Sequence, residues 1–140
     1  MNGFLVDTDV LSEPSKTKPD AAVVAWLREH EADLYTSAVV IGELAWGVER
    51  LPAGRKRHDL EAWLTKGVID KMAGRILRFD TRVALEWAAL QGRLEGKGQP
   101  MPWRDSLIAA TALRHRLIIA TRNVRDYQRS MKAVVNPFGR

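Results

Sequence analysis

Short apolar runs alternate with helix-like patterns along this sequence, and that alternation restricts the fold more than any other feature. Phe4-Leu5-Val6, Leu34-Tyr35-Thr36, Ile76-Leu77, Leu117-Ile118-Ile119-Ala120 and Ala133-Val134-Val135 are apolar or β-branched at successive positions. Such runs read as strands buried on both faces. The segments between them repeat their apolar residues at three and four instead. Val40, Leu44, Val48 and Leu51 fall on one helical face after Ser37, and Leu60, Trp63, Leu64 and Val68 do so between Lys56 and Met72. Further helices are expected from Val10, after Asp20, from Arg82 to Glu95 and from Pro102 to about His115. Asp20, Ser37 and Asp80-Thr81 stand where N-caps belong. Strands alternating with helices predict a parallel sheet covered on both faces. The ligand of such a sheet sits beyond the carboxyl ends of its strands, where Asp7 and Asn123 fall.

A chain of 140 residues suggests one domain, 1–140, able to bury a core without staples. There is no cysteine, so disulfides and thiolate metal centres are excluded. No apolar run approaches the roughly 18 residues of a membrane span, and no charged leader with a cleavage site is read. The expected address is the cytoplasm, with no membrane partner. Lys plus Arg number 22 against 17 Asp plus Glu, and the net charge of +5 suits a polyanionic partner. Solubility is the plainer explanation of the same charge.

The acids sort themselves by their neighbours. A helical carboxylate on the surface usually has basic or polar residues one turn away. Glu43 has Val39, Val40, Trp46 and Gly47 there, and Asp105 has Met101, Pro102, Ile108 and Ala109. A carboxylate without a partner is costly to bury, and a divalent cation is one partner that would serve. The alternatives are a half-exposed Glu43 beside an apolar stripe, and an Asp105 that merely complements its helix dipole. Asp126 differs, because Arg122 and Arg129 flank it at one-turn spacing and a solvated ion pair is expected. Asp7 ends a strand and could cap the next helix, but Thr8 or Asp9 could cap it equally well.

Four blocks then carry a resemblance. They are Leu5-Val6-Asp7-Thr8-Asp9-Val10-Leu11-Ser12-Glu13, Thr36-Ser37-Ala38-Val39-Val40-Ile41-Gly42-Glu43-Leu44, Pro102-Trp103-Arg104-Asp105-Ser106-Leu107-Ile108-Ala109-Ala110-Thr111-Ala112 and Ile119-Ala120-Thr121-Arg122-Asn123-Val124-Arg125-Asp126-Tyr127. In this order and at this length the chain resembles PIN-domain ribonucleases, in particular VapC-type toxins of the FitB-like branch. Asn136-Pro137-Phe138 resembles the usual ending of that branch. The resemblance implies a three-layer α/β/α sandwich with a central parallel sheet of four or five strands. It implies an endoribonuclease dependent on Mg²⁺ or Mn²⁺ that leaves 5′-phosphate and 3′-hydroxyl ends. It also implies a VapB-like antitoxin partner and a homodimer. Asp7, Glu43 and Asp105 fall on the family's acidic positions, as catalytic residues and metal ligands. Asn123 stands where many members carry a fourth acid, which favours one metal ion over two. Thr121 is placed to support the site, and Asp126 is the nearest acid to the departed corner. Asp9 is a milder departure, where the family often has Asn.

Arg55 and Lys56, with Arg57 beside them, and Arg122 and Arg125 are candidates to hold the RNA backbone, as are Arg114 and Arg116. Each of these could equally be a solvated charge. Trp26, Trp46 and Trp63 either line a groove for the antitoxin or belong to the core. Two rival functions remain. Asp7-Thr8-Asp9-Val10 also fits the nucleophile motif of haloacid-dehalogenase phosphatases, with Asp7 as nucleophile and Asp9 as general acid, although the late acidic pair of that family is missing. A catalytically inactive PIN-like module that binds RNA or serves as a scaffold is the other.

Overall fold

The computed structural model describes residues 3–139. Five strands, β1 (Phe4–Val6), β2 (Leu34–Ser37), β3 (Ile76–Leu77), β4 (Ile118–Ala120) and β5 (Val134–Val135), form one parallel sheet in the order β3-β2-β1-β4-β5. The first strand is therefore central, with Phe4 opposite Leu34 on one side and Ile118 on the other. Leu5 and Val6 point to opposite faces and both are wholly buried, so helices cover the sheet on both sides. Gly3, just before β1, has φ of 156°, and a Cβ there would lie 2.7 Å from the Asp33 carbonyl. That glycine lets the chain enter the sheet against its neighbour.

The helices are α1 (Thr8–Leu11), α2 (Ala21–Glu29), α3 (Ala38–Glu49), α4 (Arg55–Ala62), α5 (Thr81–Gly96), α6 (Trp103–His115) and α7 (Val124–Tyr127). Asp20, Ser37 and Asp80 are the N-caps of α2, α3 and α5, as their sequence positions predict. The expected helix from Lys56 to Met72 is not uniform. Beyond α4 it continues as a π-helical stretch, Trp63–Asp70. The wider coil still buries Leu64 and Val68, but Trp63 is only half-buried. Gly67 lies under that indole, where a Cβ would come within 3.1 Å of Trp63 Cδ1.

Val40, Val83, Leu90, Ile108, Ile119 and Tyr127 are at or near complete burial and join the helical layers to the sheet. Each such aliphatic side chain contributes roughly 1.5–3 kcal/mol. One carboxylate is built into this frame away from the strand ends. Glu13 is buried, accepts from the Asp20 N–H at 2.8 Å and pairs with Lys16 at 2.9 Å. It thereby ties down the polar loop that precedes α2.

Ser37 links the sheet to α3, its hydroxyl accepting from the N–H groups of Val39 at 3.0 Å and Val40 at 3.3 Å. Ser37→Ala is expected to cost about 1 kcal/mol. Thermal melting should drop by roughly 3–5 °C. An unchanged melting temperature would show that the cap is dispensable.

Candidate active site

Asp7 directly follows β1, and its backbone N–H still pairs with the Ala120 carbonyl at 3.0 Å. Its carboxylate is 7% exposed, with both oxygens engaged. Oδ1 accepts from the Thr8 N–H at 2.8 Å, and Oδ2 from the Thr121 hydroxyl at 2.8 Å. Asp7 is thus the residue that caps α1, and neither Thr8 nor Asp9 relieves it. The chain turns into the helix immediately after the strand, so the Thr8 N–H is within reach only of Asp7. The cap uses one oxygen. The other is oriented by Thr121, whose hydroxyl oxygen in turn accepts from the Asn123 N–H at 3.0 Å.

Glu43 lies on the second turn of α3. Its Oε1 accepts from the Thr8 hydroxyl at 2.7 Å and its Oε2 from Arg104 Nη1 at 2.9 Å. The sequence gives this carboxylate no partner on its own helix, and it finds two on other elements. Asp105 sits in the first turn of α6, half-buried, and accepts from Asn123 Nδ2 at 3.1 Å. The same amide nitrogen donates to Asp126 Oδ2 at 3.0 Å. The buried Tyr127 hydroxyl stands 3.5 Å from Asp105 Oδ1.

Asp126 is therefore not simply a solvated ion pair. It keeps a long contact with Arg129 at 3.8 Å, but Asn123 bridges it to Asp105. The Arg122 guanidinium lies over the Phe138 ring instead, 3.7 Å from its centre. The Arg122 backbone N–H meets the remaining acid, donating to Asp9 Oδ2 at 2.9 Å. Asp9 Oδ1 is buried with no hydrogen-bond partner among the described residues.

The electrostatics follow from crowding acids into a partly dry place. Burial, with Asp9 and Asp105 close by, pushes the Asp7 carboxyl up to about 7 despite its two donors. Burial also raises Asp9. Asp105 is raised by burial and by Asp126 and Glu43. Tyr127 is held firmly protonated by burial and by the charges of Asp7 and Asp105. A site of this kind has a standing demand for positive charge.

The donors are all oxygens, which suits a hard cation such as Mg²⁺ and not a thiolate- or imidazole-loving metal. Among the described residues no three carboxylates stand close enough to bind one ion directly. The arrangement fits an ion held by one or two carboxylates that keeps several waters, as Mg²⁺ does. Arg104 meets the demand at Glu43 meanwhile.

The other candidates scatter. Arg55 and Lys56 are exposed on the first turn of α4, and Arg125 is exposed on α7. Arg114 and Arg116 join Arg82, His115 and Asp80 around a separate pocket. It lies at the far end of α6, roughly 15 Å along the helix from Asp105. The three tryptophans do not share a groove. Trp26 stacks edge-on against Phe4 at 4.9 Å and is partly buried, whereas Trp46 is 52% exposed. Thr8, Arg104 and Tyr127 are the site residues that sequence reasoning missed. Thr8 and Arg104 each adjoin a singled-out acid, which was the available signal.

The PIN-domain family model matches residues 4–131, and the chain belongs to that family. It is 38% identical over 136 residues to Toxin FitB of Neisseria gonorrhoeae, covering 96% of this chain and 98% of that protein. It is 34% identical over 136 residues to VapC ribonuclease Y4jK of Sinorhizobium fredii, covering 96% and 97%. A solved structure of FitAB bound to an IR36 DNA fragment superposes with a TM-score of 0.91 at 36% identity, over 98% of this chain and 96% of that one. The expected fold class and family are both borne out, and the phosphatase reading of Asp7 falls with them.

Proposed function

We propose that this chain is a divalent-metal-dependent endoribonuclease and the toxin of a toxin–antitoxin pair, with residues 1–140 as a single PIN domain. One observation carries the reading: a buried Asp7 at the end of the central strand, fixed by two donors, with Asp9 and Asp105 close by. Asp7 and Asp105 would hold Mg²⁺ or Mn²⁺, with Glu43 beside them and water completing the shell. The bound ion supplies Lewis acidity and lowers the pKa of water. Thr121 and Thr8 fix the orientations of Asp7 and Glu43 through their hydroxyls. Glu43 orients the attacking water and takes its proton. Water attacks phosphorus in line, the bond from phosphorus to O3′ breaks, and the leaving O3′ takes a proton from solvent water. The products carry 5′-phosphate and 3′-hydroxyl ends.

Asn123 bridges Asp105 and Asp126 with one amide nitrogen and adds no charge. That supports a single metal ion over two. Arg122, Arg125, Arg55 and Lys56 supply phosphate contacts along the strand, which set affinity and salt dependence but not sequence choice. The names of the relatives support a cognate antitoxin and an RNA substrate. An apolar cleft lined by Leu11, Leu27, Trp63, Val68 and Met72 offers the antitoxin a face to cover. A homodimer and a cytoplasmic address complete the proposal, and no described helix is long and apolar enough to cross a membrane.

The purified chain should cut single-stranded RNA in Mg²⁺ or Mn²⁺ and stop in EDTA, with activity restored by excess metal. Sequencing the fragment ends checks the chemistry. No cleavage with either ion, or cleavage that EDTA leaves untouched, would overturn the reading.

A further inference from the structure

Among the described residues four large apolar side chains are left exposed, and one of them, Trp46, stands beside the acids, 52% exposed and three residues along α3 from Glu43. Trp103 is exposed as well, but its ring meets Trp87 of α5 edge-on at 6.2 Å. Exposing the Trp46 indole at the site rim forfeits a large apolar burial and calls for a ligand. The Arg50 guanidinium lies 4.4 Å from its ring centre and that of Arg104 lies 5.6 Å away. Arg104 also reaches Glu43 at 2.9 Å, so one side chain joins the indole to the acids.

The surface beside Glu43 and Arg50 is open. A cleft of about 280 Å³ runs between α1, α3 and α4, lined by Thr8, Ser12, Glu43, Gly47, Arg50 and Trp63. Gly47 sits in mid-helix, where glycine is normally a cost, and an added Cβ would meet nothing within 4 Å. Packing does not require that glycine. Its effect is to leave the cleft unobstructed between Glu43 and Arg50, the residue whose guanidinium lies against Trp46.

We infer that Trp46, flanked by Arg50 and Arg104, is a stacking platform for one unpaired base of the RNA strand, next to the phosphate presented to the acids. An aromatic face accepts any base, and guanidinia beside it take the adjoining phosphates and stack in their turn. The charge also favours this occupant, since two arginines at the indole suit a polyanion better than an apolar peptide. The platform rests on the ribonuclease reading above, and it makes the enzyme's preference one for unpaired RNA.

The experiment uses a short fluorescently labelled single-stranded RNA and its copies with one abasic nucleotide at successive positions. Affinity is measured by anisotropy in EDTA, where no strand is cut, and kcat and KM are measured in Mg²⁺. Trp46→Ala should weaken binding about ten- to a hundredfold, with the loss appearing mainly in KM. Trp46→Phe should restore most of it, and both variants should melt within a few degrees of the parent. One abasic position should weaken the parent equally, and Trp46→Ala should lose nothing further on that strand. Equal affinity of Trp46→Ala and parent, or indifference of the parent to every abasic position, overturns the platform. So does unchanged RNA affinity combined with a lost antitoxin complex, which would assign Trp46 to a protein interface. Base-dependent binding without cleavage in any metal would sink the ribonuclease reading and leave the platform standing.

Discussion

A chain carrying Asp7→Asn is expected to cleave RNA at least about 10²–10³-fold more slowly than the parent, while folding as well or better. The two effects separate because the same charge does opposite things to activity and to stability. Asn keeps the volume of the side chain and can still accept from the Thr8 N–H, so α1 stays capped. It removes the carboxylate that the metal would need, in a site whose fourth corner is already the neutral Asn123. Metal affinity should drop along with kcat, which calorimetric titration of Mn²⁺ can follow independently of turnover. Without metal at pH 8 the variant should melt no lower than the parent, because it no longer buries an anion. A variant with near-parental rate and metal affinity would remove Asp7 from the centre of the site.

The second large effect is on stability against pH in metal-free buffer. The Asp7 carboxyl rises from 3.8 to about 7 on folding. A raised acid means that the folded state holds its proton more tightly than the unfolded chain does. Stability is then full below about pH 4, declines between about pH 4 and 7 and stays low above that. For Asp7 alone the loss amounts to about 4 kcal/mol, a large part of an ordinary domain's stability. Asp9 and Asp105 are raised too and act in the same direction. Urea melts at pH 5 and pH 8 should differ by about 2–3 kcal/mol from Asp7, part of the loss falling below pH 5, and Asp7→Asn should flatten the profile. Saturating Mg²⁺ should restore most of the loss at pH 8, since a ligand of the folded state alone stabilises it by mass action. A parent equally stable at both values would contradict the crowded, dry carboxylate that the fold presents.

The strands were legible because their runs are apolar at successive positions, and the caps because Asp20, Ser37 and Asp80 each precede a periodic segment. The π-helical continuation of α4 was not, for Leu60, Trp63, Leu64 and Val68 suit an α-helix equally well on paper. At the site, a test confined to helix neighbours singled out Glu43 and Asp105 as acids without partners. It could not see across elements, and so missed Thr8 and Arg104, which satisfy Glu43 from α1 and α6. It also saw only part of Asp126, which keeps Arg129 at 3.8 Å but not Arg122. Arg122 lies over Phe138, and the amide that reaches Asp126 belongs to Asn123. Burial was the other hidden quantity. Nothing in the sequence distinguishes the wholly enclosed Tyr127 from a surface tyrosine, yet it borders both Asp7 and Asp105.

The hydrogen bond that fixes Asp7 spans 114 residues, from the end of the first strand to the end of the fourth. A chain emerging from the ribosome makes Asp7 114 residues before Thr121. Until β4 slides in beside β1, the central strand has no neighbour on that side, Asp7 lacks its Thr121 donor, and the α6 acid has no amide from Asn123. Contacts of such range form late in folding. The order of synthesis and the order of assembly therefore part company, and the Asp7 carboxylate waits for its second donor until the fourth strand has been made.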